Sequence, residues 1–194
     1  MNNVNTSFLL RPQPEKEGEK YNGQGWGYLD PNNESVYSCW KTIQEQITPR
    51  NIVEIGMFAG HSTATMLTLW PKANIISYDP GSFARKSNNK LRERFGSRFE
   101  FRPFAINEYP HLPTDVDLMF IDGSHKYEKV KTDIEYAKKI KPKYILFDNI
   151  ELSEVRKAVK EAGFMNSEIQ PQYLFYTCKH KGIFAPGILL FLKL

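Results

Sequence analysis

The sequence predicts an α/β fold, a doubly wound and mostly parallel sheet of seven strands that ends in an antiparallel hairpin. Five short apolar, β-branched runs alternate with segments of helical periodicity, as in parallel sheets with helices on both faces. These five predicted strands are residues 51–55, 74–78, 99–104, 116–121 and 143–147. Two further β-rich pieces, about 168–178 and 187–193, have no helix between them. They must pair as antiparallel strands, because a parallel crossover needs about a dozen residues or more.

Helical periodicity places helices before, between and after these strands. Residues 32–47 carry apolar side chains at spacings of four, three and four, and Pro49 stops that helix. Further helices are predicted over 62–70 and over 127–137. Another is predicted within the segment 153–163, with Ser153 as its N-cap and Gly163 just past its end. This alternation is typical of a Rossmann-like arrangement, in which ligands bind at the carboxyl ends of the strands.

Length and composition indicate one globular domain over residues 31–194, preceded by an arm or lid at 1–30 that is poor in apolar residues. The net charge of +4 is too small to imply nucleic acid by itself. No apolar stretch approaches the roughly 20 residues of a membrane helix. The chain shows no signal-peptide pattern, and we expect a cytoplasmic protein.

A glycine loop, "EIGMFAGHST" at 54–63, follows the first strand. A dinucleotide fingerprint needs glycine where Phe58 stands, and a P-loop needs lysine where His61 stands. The pattern acid-x-Gly-x-x-x-Gly-x-Ser instead resembles the first motif of class I S-adenosylmethionine-dependent methyltransferases. The alternative is a glycine turn that only packs a strand against a helix.

The resemblance implies the roles of several residues in holding S-adenosylmethionine. Gly56 and Gly60 would let backbone groups approach its amino-acid end, and Ser62 would donate to its carboxylate. Asp79 ends the second strand 19 residues past Gly60, where an acid can accept both ribose hydroxyls. The other expected cofactor contacts are Glu54, Met57, Phe58, Phe104 and Asp122.

Two of these expectations have structural alternatives. Asp79-Pro80-Gly81 would form a turn in any case, whether or not a ribose binds there. Phe104 is expected to stack on the adenine ring, but a phenylalanine is more often a core residue.

Two strand ends carry the remaining polar residues. Asp122 follows the fourth strand in "FIDGSHKYE", and Asp148 and Asn149 follow the fifth in "ILFDNIE". Adjacent parallel strands would bring these two carboxylates and one amide oxygen together, and such oxygen ligands select a hard cation, most simply Mg²⁺. The alternative is that Asp148 and Asn149 cap the following helix.

The same residues resemble metal-dependent O-methyltransferases of the catechol and caffeoyl-coenzyme A type. The segment "IDGSHKYEKVKTD" is similar to a related bacterial group that includes sugar and macrolide O-methyltransferases. The likeness covers roughly residues 50–150 and implies that Asp122, Asp148 and Asn149 hold the metal. His125 stands where the catechol type has a lysine base, and a neutral imidazole suits that task. Its alternative role is that of a helix-start residue bonded to the backbone.

The function expected from these features is metal-assisted methylation of a small-molecule hydroxyl by S-adenosylmethionine, with Asp122 and His125 as the catalytic residues. Trp26 and Tyr28 in "GQGWGYLD" are candidate contacts of the acceptor. The alternatives are a metal-independent methyltransferase acting on another acceptor, and a nucleoside-binding module without catalysis. Basic residues over 85–102 are interpreted as solvated helix faces, and nucleic acid is not expected as a partner.

Overall fold

The computed structural model describes residues 34–108, 111–166, 170–180 and 183–194. The predicted arm at 1–30, with Trp26 and Tyr28, lies outside these residues. The helices are α1 Glu34–Gln46, α2 His61–Leu69, α3 Ser82–Phe95, α4 Tyr127–Ile140 and α5 Ser153–Glu161. The strands are β1 Asn51–Ile55, β2 Asn74–Tyr78, β3 Phe99–Arg102, β4 Leu118–Ile121, β5 Tyr144–Phe147, β6 Gln172–His180 and β7 Ile183–Lys193.

All seven strands form one sheet in the order β3-β2-β1-β4-β5-β7-β6. The first five strands are parallel, and β7 runs antiparallel to both β5 and β6. This arrangement confirms the predicted Rossmann-like fold with its terminal hairpin. The register pairs Ile55 with Ile121, and Ile121 with Phe147, so β1, β4 and β5 end at the same edge.

The core consists of two apolar layers, one on each face of the sheet. One layer packs α1, α2 and α3 against the sheet and includes Trp40, Leu67 and Leu91. The other packs α4 and α5 and includes Ile134 and Val155. The central strand β4 is buried at all four positions, as expected for a parallel strand covered on both faces. The apolar run of β4 ends at Ile121, and the next residue is the polar Asp122.

Several boundaries differ from the sequence-based expectation. Helix α3 was not delimited from the sequence, because charged residues dominate it and only three of its residues are buried. The prediction of Ser153 as N-cap is wrong, since α5 begins at Ser153 and its N-cap is Leu152. Gly163 does follow the helix end, with φ +86 and its N–H donating to the carbonyl oxygen of Lys160.

The C-terminal hairpin is longer than predicted. Pro186 and Gly187 suggested a connector, yet β7 begins at Ile183 and pairs with β6 from there to Phe191. Leu190 pairs with Phe147, the last residue of β5, so the part of β7 before Leu190 has no strand on that side. A proline without an N–H is tolerated at such an unpaired edge. The hairpin therefore extends past the end of β5, beside Asp148.

None of the helices in the described ranges has both the length and the apolar character that crossing a bilayer requires. The longest of them, α3 and α4, have 14 residues each.

Candidate functional site

The site lies where the strand order reverses. The chain leaves β1 toward β2 on one side, whereas β4 leads to β5 on the other, and β1 and β4 are neighbours. Crevices of this kind, at the carboxyl ends of parallel strands, are where open α/β sheets bind ligands. Four residues of interest follow directly after strands β1, β2, β4 and β5, namely Gly56, Asp79, Asp122 and Asp148.

The glycine loop is folded tightly against β4. Gly56 has φ +89, and a Cβ added to it would lie 2.1 Å from the backbone oxygen of Asp122. Its N–H donates to the carbonyl oxygen of Tyr78 at 2.9 Å. Gly60 has φ +83 and is the N-cap of α2. Both glycines are therefore required by the backbone path, which ends at the N–H groups of the first turn of α2.

Asp79 connects the glycine loop to the start of α3. Its Oδ2 accepts the N–H of Phe58 at 2.7 Å, and its Oδ1 accepts the N–H of Gly81 at 2.6 Å. Phe58 has φ +46, and its ring stacks on Phe83 with 5.0 Å between centroids. Each carboxylate oxygen retains capacity for a second hydrogen bond. The turn expected at Asp79 is thus present, and it leaves acceptor capacity for ribose hydroxyls.

Glu54 and Ser62 are arranged differently from the expectation of direct cofactor contact. The Glu54 carboxylate is fully buried and accepts hydrogen bonds from the hydroxyls of Ser62, Thr63 and Ser77. Burial raises the pKa of Glu54 to about 6, against the lowering effect of those three hydroxyls. The carboxylate therefore fastens α2 and β2 to β1 beneath the loop, and the Ser62 hydroxyl is directed into the protein. The hydrogen-bond donors left at this position are the first-turn N–H groups of α2.

Other predicted cofactor contacts differ in exposure. The side chain of Met57 is buried in the α1–α3 layer of the core, so only the backbone of Met57 is available to a ligand at the loop. Phe104 is 46% exposed just beyond β3, and it is not a core residue. Burial lowers the pKa of His61 to about 4. A neutral His61 cannot replace the phosphate-binding lysine of a P-loop, which supports the rejection of that motif.

Asp122 and Asp148 stand side by side on neighbouring strands. Each follows one member of the paired residues Ile121 and Phe147, and the N–H of Asp148 donates to the carbonyl oxygen of Ile121 at 3.1 Å. Burial of the carboxyl group, together with the negative charge of Asp148, raises the pKa of Asp122 above its usual range. The site thus concentrates negative charge in a poorly solvated position, where a cation or a proton is stabilised.

His125 faces this acidic pair. Its Nε2 lies 3.6 Å from Oδ1 of Asp122, too far for a hydrogen bond but close enough for a strong charge interaction. Nε2 is buried and has no hydrogen-bond partner within the described part of the chain. The Asp122 carboxylate raises the pKa of His125, and the charges of Asp148 and Glu151 act in the same direction. The imidazole is therefore placed to take up a proton next to Asp122.

Asn149 does not cap α5, and neither does Asp148. Asn149 has φ +58, and its N–H donates back to Oδ1 of Asp148 at 2.7 Å. Helix α5 begins four residues later, and its N-cap Leu152 provides no side-chain hydrogen bond. The capping alternative for this pair is therefore wrong. Among the described residues, however, no three His, Cys, Asp or Glu side chains converge closely enough to form a metal site by themselves.

Comparison with known proteins identifies the family. The family described as "Methyltransferase domain" matches residues 53–150, just over half of the chain. The chain belongs to this methyltransferase family. The matched region runs from β1 to the turn after β5, and it therefore includes every strand end that contributes to the site.

A curated relative of this methyltransferase is an uncharacterized protein of Acanthamoeba polyphaga mimivirus. It is 32% identical over 110 residues, which cover 50% of this chain and 50% of the viral protein. The chain thus spans about half the length of that relative.

Solved structures share the fold of this methyltransferase. A candidate O-methyltransferase from Klebsiella pneumoniae has a TM-score of 0.60 at 16% identity, covering 86% of this chain and 82% of its own. An O-methyltransferase from Bacillus cereus in complex with SAH has a TM-score of 0.56 at 16% identity, with 81% of each chain covered. A candidate RNA methyltransferase from Pyrococcus horikoshii has a TM-score of 0.58 at 12% identity, covering 82% and 81%. At these identities the likeness establishes the class I methyltransferase fold.

Two features of this crevice were missed in the sequence. Ser77, which donates to Glu54, lies on β2 and is distant from Glu54 in sequence, so no local motif marks it. Glu151 follows Asn149 by two residues and accepts a hydrogen bond from its side-chain nitrogen at 3.1 Å. An acid two residues after an Asp-Asn pair was the available signal.

Proposed function

We propose that this protein is an S-adenosylmethionine-dependent methyltransferase that methylates a hydroxyl group of a small molecule. The observation that carries the proposal is the pair formed by His125 and Asp122, with Nε2 and Oδ1 3.6 Å apart at the end of β4. A base at this point lies beside the loop expected to hold the cofactor's amino-acid end, since Gly56 packs on the backbone of Asp122.

In this proposal the chain holds the cofactor from three sides. Asp79 accepts the ribose hydroxyls, the glycine loop and the first turn of α2 receive the amino-acid end, and Phe104 contacts the adenine. S-adenosylmethionine, when bound, would supply the methyl group and leave as S-adenosylhomocysteine, while His125 takes the proton of the acceptor hydroxyl. His125 then releases that proton to solvent. Positioning contributes much of the rate, because the displacement is in line.

The proposal also includes a divalent cation bound beside His125. Asp122, Asp148 and Asn149 offer two carboxylates and an amide oxygen, a donor set that suits Mg²⁺, which completes its shell with water and substrate oxygens. The charge of Asp148 already disfavours ionisation of Asp122, and such repulsion is relieved by a cation. A bound cation would lower the pKa of the acceptor hydroxyl.

A nucleic acid acceptor is the second candidate, favoured by the exposed basic residues of α3, Arg85, Lys86, Arg92 and Arg94. Several basic residues of this region also have partners within the protein. Arg85 donates to the carbonyl oxygen of Pro103, Arg98 donates to that of Leu67, and Arg102 pairs with Glu100. A small-molecule acceptor remains the better proposal.

The test is release of S-adenosylhomocysteine from S-adenosylmethionine with panels of phenolic, catecholic and sugar hydroxyl acceptors, and with transfer RNA. We expect turnover with a small hydroxyl acceptor, a strong loss in Asp122→Ala, and inhibition by EDTA that Mg²⁺ reverses. Turnover that survives exhaustive EDTA treatment would show that the reaction needs no metal. Turnover with RNA alone would transfer the assignment to the second candidate. Binding of S-adenosylhomocysteine without turnover on any acceptor would indicate a nucleoside-binding module.

A further inference from the structure

Glu151 bridges the turn after β5 to strand β7. Its Oε1 accepts the side-chain N–H of Asn149 at 3.1 Å, and its Oε2 accepts the backbone N–H of Ile188 at 2.9 Å. The N–H of Ile150 donates to the carbonyl oxygen of Ile188 at 3.1 Å. The turn and the strand are therefore joined in both directions, and one carboxylate serves two donors on different elements.

This bridge determines which atom of the Asn149 side-chain amide, the nitrogen or the oxygen, is available to a ligand. A carboxylate only accepts hydrogen bonds, so the amide end directed to Glu151 must be the nitrogen. The backbone of Asn149 is also fixed, since its N–H donates to Asp148 and its carbonyl oxygen accepts the N–H of Leu152 at 3.0 Å. The side-chain oxygen is the atom left to face a ligand.

Glu151 also ties the turn after β5 to the part of β7 that extends past the end of β5. Leu190 pairs with the last residue of β5, and Ile188 lies two residues before it. The bridge therefore reaches β7 just beyond the end of β5. A change at Glu151 would therefore affect both Asn149 and the adjoining hairpin.

We propose that Glu151 is a positioning residue that holds the Asn149 amide with its oxygen toward a divalent cation bound at Asp122 and Asp148. This inference rests on the proposed function, because it assumes the cation. Glu151 is not itself a ligand in this account, because its carboxylate is directed to Asn149 and to the backbone of Ile188. Loss of such an outer partner typically weakens metal binding by about 10–100-fold.

The arrangement suggests a reciprocal substitution. Glu151→Gln keeps the size of the side chain but presents an N–H to one of two donors, so one hydrogen bond is lost. Asn149→Asp alone places two carboxylates opposite each other. In the double variant, the glutamine introduced by Glu151→Gln can donate to the new carboxylate and still accept from Ile188, which restores the bridge with the donor reversed.

The experiment is titration of Mn²⁺ by calorimetry and by electron paramagnetic resonance on the four proteins of this cycle, with thermal unfolding of each. We expect Glu151→Gln to bind Mn²⁺ about 10–100-fold more weakly than wild type, and the double variant to recover most of that loss. Glu135→Gln, an exposed acid on α4, is the matched control and should bind as wild type does.

Each other outcome is decisive. Wild-type affinity in Glu151→Gln, or a double variant no better than Glu151→Gln alone, would overturn the role of Glu151 while leaving the cation in place. If Glu151→Gln unfolds, the double variant alone decides the question. Absence of Mn²⁺ binding to the wild type would remove both the cation and this role, and methyl transfer would then stand or fall on the turnover assay.

Discussion

The backbone oxygen of Asp122 occupies the place that a side chain on Gly56 would need, because a Cβ built on Gly56 lies 2.1 Å from it. The conformation of Gly56, the first residue of the glycine loop, is thus restricted by Asp122, the first residue of the turn after β4. Both follow paired strand ends, Ile55 and Ile121. The two halves of the proposed site are therefore formed by the same contact between β1 and β4.

Gly56→Ala is expected to destabilise the protein and to abolish cofactor binding. A left-handed alanine alone costs roughly 1–2 kcal/mol, and here the opposing backbone must move as well. Gly60→Ala is the matched control, since its φ is +83 but the three atoms nearest to its added Cβ all belong to the side chain of Leu91 and not to backbone. Urea unfolding and titration of S-adenosylhomocysteine measure both effects. Equal losses in the two variants would contradict the importance of the contact with Asp122.

His125→Ala is expected to lower kcat by about 10²–10⁴-fold, the usual contribution of a general base. Affinity for S-adenosylhomocysteine and the unfolding temperature should stay near those of wild type, because the imidazole lies on the acceptor side of the proposed site. The exposed His111 provides the control substitution His111→Ala. A loss of stability with kcat retained would instead identify His125 as a structural residue at the start of α4.

Glu54 should make folding stability depend on pH. Its pKa is raised from 4.5 to about 6 in the folded protein, so the folded state binds the proton more tightly than the unfolded state. The stabilisation is fully present below pH 4.5 and is lost as the pH rises through about 6. The expected difference is about 2 kcal/mol, at 1.36 kcal/mol per pKa unit.

The check on this dependence is chemical unfolding of wild type and Glu54→Gln at intervals from pH 4 to pH 8. The variant cannot ionise at this position, so the stability difference between the two proteins should change by about 2 kcal/mol across that range. A difference that is constant with pH would mean that Glu54 titrates alike in the folded and unfolded states.

The strand-end acids could be predicted from the sequence because each one ends an apolar run. A parallel sheet places such ends at one edge, and the observed order puts Asp122 beside Asp148 as expected. The order of the strands also confirms the expected hairpin. These features depend on patterns that are local in sequence, and local patterns are what a single sequence reveals.

The side-chain partners could not be predicted in the same way. Glu54 was expected to contact the cofactor, but its carboxylate oxygens accept hydrogen bonds from hydroxyls on α2 and β2. Ser77 on β2 is distant from Glu54 in sequence, and the Ser62 hydroxyl on α2 is directed into the protein. Helix capping by Asn149 was plausible until the start of α5 was known. The bridge through Glu151 depends on the pairing of β7 with β5, and no local motif indicates that pairing.

The most direct test of the central claim is calorimetric titration of S-adenosylhomocysteine into wild type and Asp79→Ala, with Glu93→Ala, an exposed acid on α3, as control. Hydrogen bonds to a charged group contribute about 1.5–3 kcal/mol, and 1.4 kcal/mol is a factor of ten. We therefore expect binding to wild type and to the control, and binding at least about tenfold weaker to Asp79→Ala. No heat with folded wild-type protein, or equal affinity in Asp79→Ala, would contradict the assignment of this crevice as the cofactor site.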